Sequence, residues 1–197
     1  MKGSTARTVS GPTTWEFLLW DNDPGPPPLP VPRRLRLLAA VRTAQALRVL
    51  RRRGWQDAQR YLRELRPLPL AAGLRPSDAV RLARREAQPC LTVLRMAEPE
   101  ALCLPRSYAL ATYLSVLGLP AEVVVARQRS SIGGRFAFHA WAELYGEVLA
   151  DIPGVQSGFT VLQRVGCAHA VRAPEAEHGP GAVSGSGAEH GPGAVPG

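Results

Sequence analysis

The order of sequence patterns along the chain predicts an α+β fold, in which helices come first and an antiparallel sheet follows. Up to residue 117 the chain has segments of helical composition that are separated by prolines. From residue 121 onward, short runs of β-branched and aromatic residues alternate with glycine-containing turns, which is typical of strands. With 197 residues, of which 45% are hydrophobic, the chain has room for one globular domain with flanking extensions.

The N-terminal half is predicted to consist of an arm and a helical region. Residues 1–32 form the arm, because their proline run cannot sustain a helix or a central strand. Residues 33–95 form an arginine-rich helical region that packs on the core. Its predicted helices are residues 33–53, with arginines all round the helical wheel, residues 55–65, and a third that opens at Pro76 and is interrupted near Pro89.

Residues 96–172 are predicted to form the core that carries the chemistry of the protein. A helix begins near Cys103, has an apolar stripe on one inward face, and is closed by Gly118 after Leu117. Strands are predicted at residues 121–126, 136–144, 148–151 and 159–165.

The C-terminal tail, residues 173–197, is predicted to be disordered. It contains the eight residues AEHGPGAV twice, and this composition buries too little apolar area to offset the loss of chain entropy. His178 and His190 lie in the two copies. Duplication explains them better than metal binding does, and we predict no metal and no cofactor.

Charge is unevenly distributed along the chain. The net charge is +8, and the basic residues are 23 arginines and one lysine. Sixteen arginines and four acidic residues give residues 33–95 a charge of about +12. This segment could steer an acidic peptide or protein to one face, or its arginines could simply be solvated. No row of stacking aromatic residues interleaves with these arginines, so nucleic acid is not a predicted partner.

The sequence also predicts the compartment. No apolar run approaches the length of a membrane helix, about 20 residues, and the N-terminus lacks the apolar stretch of a secretion signal. Three cysteines, an odd number without a Cys-x-x-Cys pair, argue against a disulfide framework and against a zinc site. We therefore predict a cytoplasmic protein that does not contact the membrane.

Cys103 is the first candidate functional residue. It lies at the start of a predicted helix, where the backbone N–H groups and the helix dipole favour a thiolate. A buried structural cysteine is the alternative, and we prefer that interpretation for Cys90 and Cys167. Position thus favours Cys103 as a nucleophile.

His139 and Asp151 are the second and third candidates. Strand alternation puts His139 on the same face as Trp141 and Glu143. If residues 145–147 form a three-residue loop, Trp141 opposes Asp151, and Asp151 becomes a diagonal neighbour of His139. Asp151 would then orient the imidazole, and the other ring nitrogen would take the proton of Cys103.

These residues also carry a family resemblance. The motifs are Cys-Leu-Pro-Arg-Ser at 103–107, Leu-Gly-Leu-Pro at 117–120, His-Ala-Trp-Ala-Glu at 139–143 and Gly-x-Val-Leu-x-Asp at 146–151. From about Cys90 to Asp151 the chain resembles the peptidase half of lasso-peptide processing proteins, a branch of the bacterial transglutaminase-like superfamily. The resemblance implies a papain- or transglutaminase-like core, with the catalytic cysteine at the N-terminus of a helix packed on an antiparallel sheet.

The resemblance implies a function and partners. It gives Cys103 the role of nucleophile, His139 that of general base and Asp151 that of orienting acid. Such peptidases remove the leader from a ribosomally made precursor peptide, and an ATP-using cyclase then closes the macrolactam. Residues 1–95 lack a convincing strand, so the chain resembles the stand-alone form, whose leader-recognition protein is separate.

Two other functions remain open at this point. The same nucleophile could transfer the acyl group to an amine, as true transglutaminases do. Alternatively, the protein could be a non-catalytic module whose arginine-rich helices bind an acidic partner.

Overall fold

The structure is a computed structural model that describes residues 29–97, 100–130, 137–152 and 154–169. The predicted tail, its two histidines and most of the predicted arm lie outside these ranges. Within them, four helices precede four strands: α1 (Arg33–Arg53), α2 (Trp55–Arg63), α3 (Pro76–Ala97), α4 (Cys103–Val116), β1 (Glu122–Gln128), β2 (Phe138–Leu144), β3 (Glu147–Leu149) and β4 (Phe159–Gly166). Short 3₁₀ turns span Pro69–Ala71 and Val155–Gly158. The predicted α+β class is confirmed.

Helix α4 lies at the centre of the domain. Every residue from Ser107 to Val116 is buried, because α1 and α3 pack on one side of this helix and β1 and β2 on the other. The sequence predicted one inward face, yet this stretch has no outward face. Its position between two layers therefore fixes the helix in all directions.

Helix α1 presents a narrow buried face to this core. Ala39, Thr43, Ala46 and Leu47 are buried, and three of these four side chains are small, which lets the helix backbone come close to α4. The Thr43 hydroxyl is satisfied by donating to the Ala39 carbonyl oxygen at 2.8 Å. The sequence did not predict this face, because arginines are distributed all round the helical wheel.

A partly buried ion pair, together with a tyrosine hydroxyl, joins three of the helices. Glu86 on α3 is fully buried, and its two oxygens accept from Arg36 Nη2 at 2.6 Å and Arg36 Nε at 2.9 Å. The Tyr113 hydroxyl of α4 lies 3.5 Å from the same carboxylate. The hydrogen bond with Glu86 is the main cause of the raised pKa of Arg36. This arrangement satisfies a charge that would be costly to bury alone.

The predicted interruption of the third helix near Pro89 is wrong. Helix α3 continues through Pro89, although a proline inside a helix removes one backbone hydrogen bond and costs about 3 kcal/mol. Apolar residues on both sides of it share one core: Ala83 and Ala87 before, Cys90 and Leu94 after. Their burial offsets the cost of the proline.

The four strands form one antiparallel sheet in the order β3-β2-β1-β4. Ala142 and Leu144 of β2 join the main core, whereas Trp141 packs in a second cluster with Val124 and Ala126. The predicted alternation of β2 is therefore correct. The face that carries Trp141 is nevertheless not solvent-exposed at Trp141 or Glu143, since both are about 1% exposed.

The predicted register of the β2–β3 hairpin is wrong by one residue. Leu144 pairs with Glu147 and Ala142 with Leu149, so the loop has two residues, not three. Tyr145 and Gly146 both have positive φ (52° and 83°), the conformation of the two-residue turns that match strand twist. A tyrosine at positive φ is uncommon, and no local pattern in the sequence indicates it. Strand β3 also ends at Leu149, before the predicted end at Asp151.

Gly118 closes α4 as predicted, and its substitution tests the packing at this end of the helix. It has φ 88°, and a Cβ there would lie 2.3 Å from the Leu68 carbonyl oxygen. We expect Gly118→Ala to lower the free energy of unfolding by roughly 2 to 4 kcal/mol, because backbone strain and overpacking add.

The matched control is Gly73→Ala, since Gly73 has φ 81° but no atom within 4 Å of the position that a Cβ would take. This variant carries the backbone strain alone, about 1 to 2 kcal/mol. Urea denaturation followed by circular dichroism measures both. Equal losses would show that the contact with Leu68 is not a constraint.

Candidate active site

A cavity of about 180 Å³ opens where the start of α4 meets β2 and the end of β3. It is lined by twelve residues: Ala101, Cys103, Arg106, Ser107, Leu110, His139, Ala140, Trp141, Ala142, Leu149, Ala150 and Asp151. All three candidate residues from the sequence, Cys103, His139 and Asp151, are among them. The fold thus brings together groups that are up to 48 positions apart in the chain.

Cys103 is the first residue of α4 and is a free, partly exposed thiol. The preceding residue, Leu102, supplies no capping side chain, and no acidic residue lies in the first turn. Pro105 has no N–H, and the Arg106 N–H donates to the Leu102 carbonyl oxygen at 3.1 Å. The N–H groups of Cys103 and Leu104 are therefore the ones available to a negative charge, either a thiolate or an oxyanion in the cavity. Burial begins only at Ser107, so the helix is fixed by its later turns while its first residue stays accessible.

Arg106 and Ser107, in the first turns of α4, hold the start of this helix to the sheet. The Ser107 hydroxyl lies 2.7 Å from the Cys103 carbonyl oxygen and 2.8 Å from the Ala140 carbonyl oxygen, next to His139. Arg106 donates to the Ala150 carbonyl oxygen at 2.9 Å, next to Asp151. Sequence reasoning gave neither residue a role of its own, because both partners are backbone atoms that only the fold reveals.

His139 and Asp151 form a direct pair. His139 Nε2 lies 2.9 Å from Asp151 Oδ2, and the Ile152 N–H donates to Asp151 Oδ1 at 2.7 Å. Both side chains are partly buried, which limits competition from water. With Nε2 donating to the carboxylate, Nδ1 is the ring nitrogen that can accept a proton from another group.

The pair forms in spite of the different hairpin register. In the observed ladder, Asp151 lies beyond the last paired residue of β3, Leu149. Ala150 has φ 54°, a left-handed conformation that turns the chain out of the ladder just before Asp151. The hydrogen bond from Arg106 holds the carbonyl group of this same residue. A kink, and not the predicted diagonal pairing, therefore delivers Asp151 to the imidazole.

The other two cysteines have different surroundings. Cys90 is fully buried, and burial raises the pKa of its thiol to about 12. Cys167 is partly exposed, and its sulfur lies 3.0 Å from the Leu65 carbonyl oxygen. Neither residue lines the cavity.

In the described part of the chain, no cluster of three or more His, Cys, Asp or Glu side chains could hold a metal ion.

Comparison with known families agrees with this architecture. The model of the transglutaminase-like superfamily matches residues 30–164, more than half of the chain, and the protein belongs to this superfamily. The superfamily includes cysteine peptidases and acyl transferases. The match starts before α1, so the arginine-rich helices lie within the matched region. Neither the curated proteins nor the solved structures provide a match.

Among the described residues, none of the helices combines the length and the apolar character that a membrane span requires.

Thiol labelling tests the special position of Cys103. We expect iodoacetamide at neutral pH to modify Cys103 faster than Cys167 and much faster than Cys90, because Cys103 combines exposure with a helix N-terminus. Peptide mass spectrometry of a time course gives the three rates. Equal rates for Cys103 and Cys167 would mean that exposure alone governs the reaction.

Proposed function

We propose that the protein is a cysteine peptidase that removes the leader from a lasso-peptide precursor before the macrolactam forms. The observation that carries the proposal is the cavity in which a helix-start thiol, Cys103, accompanies the His139–Asp151 pair at 2.9 Å. Superfamily membership supports thiol chemistry of this type. The four motifs between Cys103 and Asp151 support the choice of a leader peptidase.

Each residue has a defined step in this reaction. The Cys103 thiolate attacks the carbonyl carbon of the scissile bond, and N–H groups of the first turn of α4 donate to the developing oxyanion. His139, oriented by Asp151, gives its proton to the leaving amine, and the peptide C–N bond breaks. Water then gives a proton to His139 and attacks the thioester, and the C–S bond breaks. The leader leaves with a new carboxyl group, and the Cys103 thiolate and protonated His139 are restored.

Exposed apolar residues next in sequence to the three candidate residues support a peptide substrate. Leu102, Phe138 and Ile152 each precede or follow one of the three candidate residues, and they are 76%, 65% and 73% exposed. Large apolar side chains at this exposure often mark a binding surface when they lie together. We infer that they contact side chains of the peptide on either side of the scissile bond.

Substitutions test the roles of the three residues on the precursor peptide. Cys103→Ala should abolish cleavage, and His139→Ala should lower the rate by roughly 10² to 10⁴, as loss of a general acid–base does. Asp151→Asn should lower the rate by less than His139→Ala, because the imidazole remains in the site.

Mass spectrometry of the products also separates two reactions: a free leader with a new carboxylate supports hydrolysis, and a joined product means acyl transfer. Cleavage by Cys103→Ala would refute the proposal, and binding without cleavage by the wild type would favour a binding module.

Leader binding needs more surface than the cavity provides. Leader peptides are largely disordered, and ordering each residue costs about 1 to 2 kcal/mol of backbone entropy. The described residues before α4 form helices and turns but no strand, so they offer no strand edge for a leader to extend. We therefore propose that a separate leader-recognition protein delivers the precursor, and that the ATP-using cyclase acts on the product.

The outer face of α1 is our proposed docking surface for this recognition protein. Leu37, Leu38 and Val41 are 67%, 39% and 46% exposed on it, and exposed arginines, including Arg34 and Arg48, lie on the same helix. An apolar centre with arginines around it is typical of protein interfaces. The positive charge favours an acidic partner surface.

Kinetics with and without the recognition protein test this surface. We expect the lone chain to cleave slowly, and the partner to accelerate cleavage by raising the local concentration of the precursor, less so at high salt. Leu37→Asp should abolish the acceleration but leave the slow basal rate unchanged. The control is Leu162→Asp on β4, where an exposed leucine (54%) lies outside the surface. Full activity of the lone chain at micromolar precursor would overturn the partner proposal.

A further inference from the structure

A buried carboxylate lies on the face of the sheet away from α4. Glu143 of β2 is 1% exposed and accepts hydrogen bonds from three donors. Trp141 Nε1 and Gln156 Nε2 each donate to Oε1 at 2.7 Å, and Arg164 of β4 donates to Oε2. A second carboxylate, Glu122 of β1, lies 3.7 Å from the same guanidinium.

This carboxylate is held in its charged form. Burial by itself raises the pKa of Glu143, but the hydrogen bonds from Arg164, Trp141 and Gln156 outweigh burial and bring the pKa below its usual value. A fixed charge of this kind, with donors on three sides, is a rigid centre, because each donor loses a strong partner if it moves.

Two of the donors, Trp141 and Gln156, lie in parts of the chain that are close to the His139–Asp151 pair. The Trp141 ring lies 6.0 Å from the His139 ring between centroids, and Phe159 lies 5.6 Å from it on the same face. Gln156 belongs to the turn that follows Asp151, and its amide also donates to the Gly146 carbonyl oxygen at 3.1 Å, in the β2–β3 loop. Glu143 therefore touches neither member of the pair. It contacts Trp141, whose ring lies beside the His139 ring, and Gln156, which lies five residues after Asp151 in the chain.

We propose that Glu143 is a positioning residue of the active site, which sets the His139 ring through Trp141 and the chain around Asp151 through Gln156. The inference rests on the proposed function, since it assigns a task to a network beside that site. Loss of the carboxylate would let the indole ring and the turn at residues 154–158 shift, and the imidazole would move within the cavity that it shares with Cys103. Small misplacements of this kind reduce catalysis by up to about 10²-fold.

The chain provides a matched control at Glu86. Like Glu143, it is a buried carboxylate paired with an arginine, but its partners Arg36 and Tyr113 belong to the helices and do not line the cavity. Glu143→Gln and Glu86→Gln each replace a buried charge by an amide of the same size. Any effect that comes only from a weakened fold should therefore appear in both variants.

The reactivity of Cys103 is a probe that requires no knowledge of the substrate. We would measure iodoacetamide modification of Cys103 from pH 5 to 9 in the wild type, His139→Ala, Glu143→Gln and Glu86→Gln. Besides His139, the charged groups that line this cavity are Arg106 of α4 and Asp151, and all four proteins keep them. We expect His139→Ala to move the pH of half-maximal rate upward, because the thiolate loses its imidazolium partner. Glu143→Gln should produce at least half of that shift, and Glu86→Gln none.

Cleavage kinetics on the precursor give the second readout. Glu143→Gln should lower kcat by roughly 10- to 100-fold with little change in KM, whereas Glu86→Gln should keep both values. A Trp141→Phe variant, which lacks the indole N–H, should lower kcat similarly. Because both changes break the same contact, the double variant Trp141→Phe/Glu143→Gln should lose no more kcat than the more impaired of the two single variants.

The outcomes separate the two proposals. If Glu143→Gln and Glu86→Gln behave alike in both assays, Glu143 is only structural and the positioning role is overturned. If His139→Ala itself leaves the pH dependence of Cys103 and the cleavage rate unchanged, the proposed function fails.

Discussion

The complete burial of α4 is the constraint on which the rest of the molecule depends. A helix that is enclosed from Ser107 to Val116 can neither rotate nor slide without opening voids or forcing atoms together. Its first turn is the part that emerges from this enclosure, and this is where Cys103 lies. The same packing that stabilises the domain therefore fixes the position of the thiol and leaves it accessible.

The second half of the site is attached to this helix by polar contacts with backbone atoms. Ser107 and Arg106 reach the carbonyl groups of Ala140 and Ala150, which adjoin His139 and Asp151. These contacts depend on the path of the chain and not on the side chains at residues 140 and 150. The geometry of the candidate triad is thus set by where β2 and the hairpin run relative to the first turn of α4.

The sequence predicted those features that local chemistry determines. Gly118 ends α4, the two faces of β2 separate as their alternation indicates, and the helices precede the sheet. The predictions were wrong where contacts between residues far apart in the chain determine the backbone. Packing on both sides of Pro89 keeps α3 continuous, and the left-handed residues Tyr145 and Ala150 together bring Asp151 to His139 by a route that alternation does not describe. The donors to Glu143 come from residues 141, 156 and 164, so the motif that contains Glu143 gives no sign of the positioning role that we propose for it.

The kink at Ala150 has a consequence for how the hairpin can vary. The two-residue turn and the left-handed alanine each shift the strand by a fixed amount, and only their combination brings Asp151 opposite the imidazole across a separation of 12 residues. Side chains in the turn can change as long as the backbone can still adopt positive φ. The number of residues between His139 and Asp151 cannot change, because one insertion or deletion would shift β3 by one residue against β2 and carry Ala150 and Asp151 away from the imidazole. In this domain, hairpin length is as much a part of the candidate active site as the three side chains.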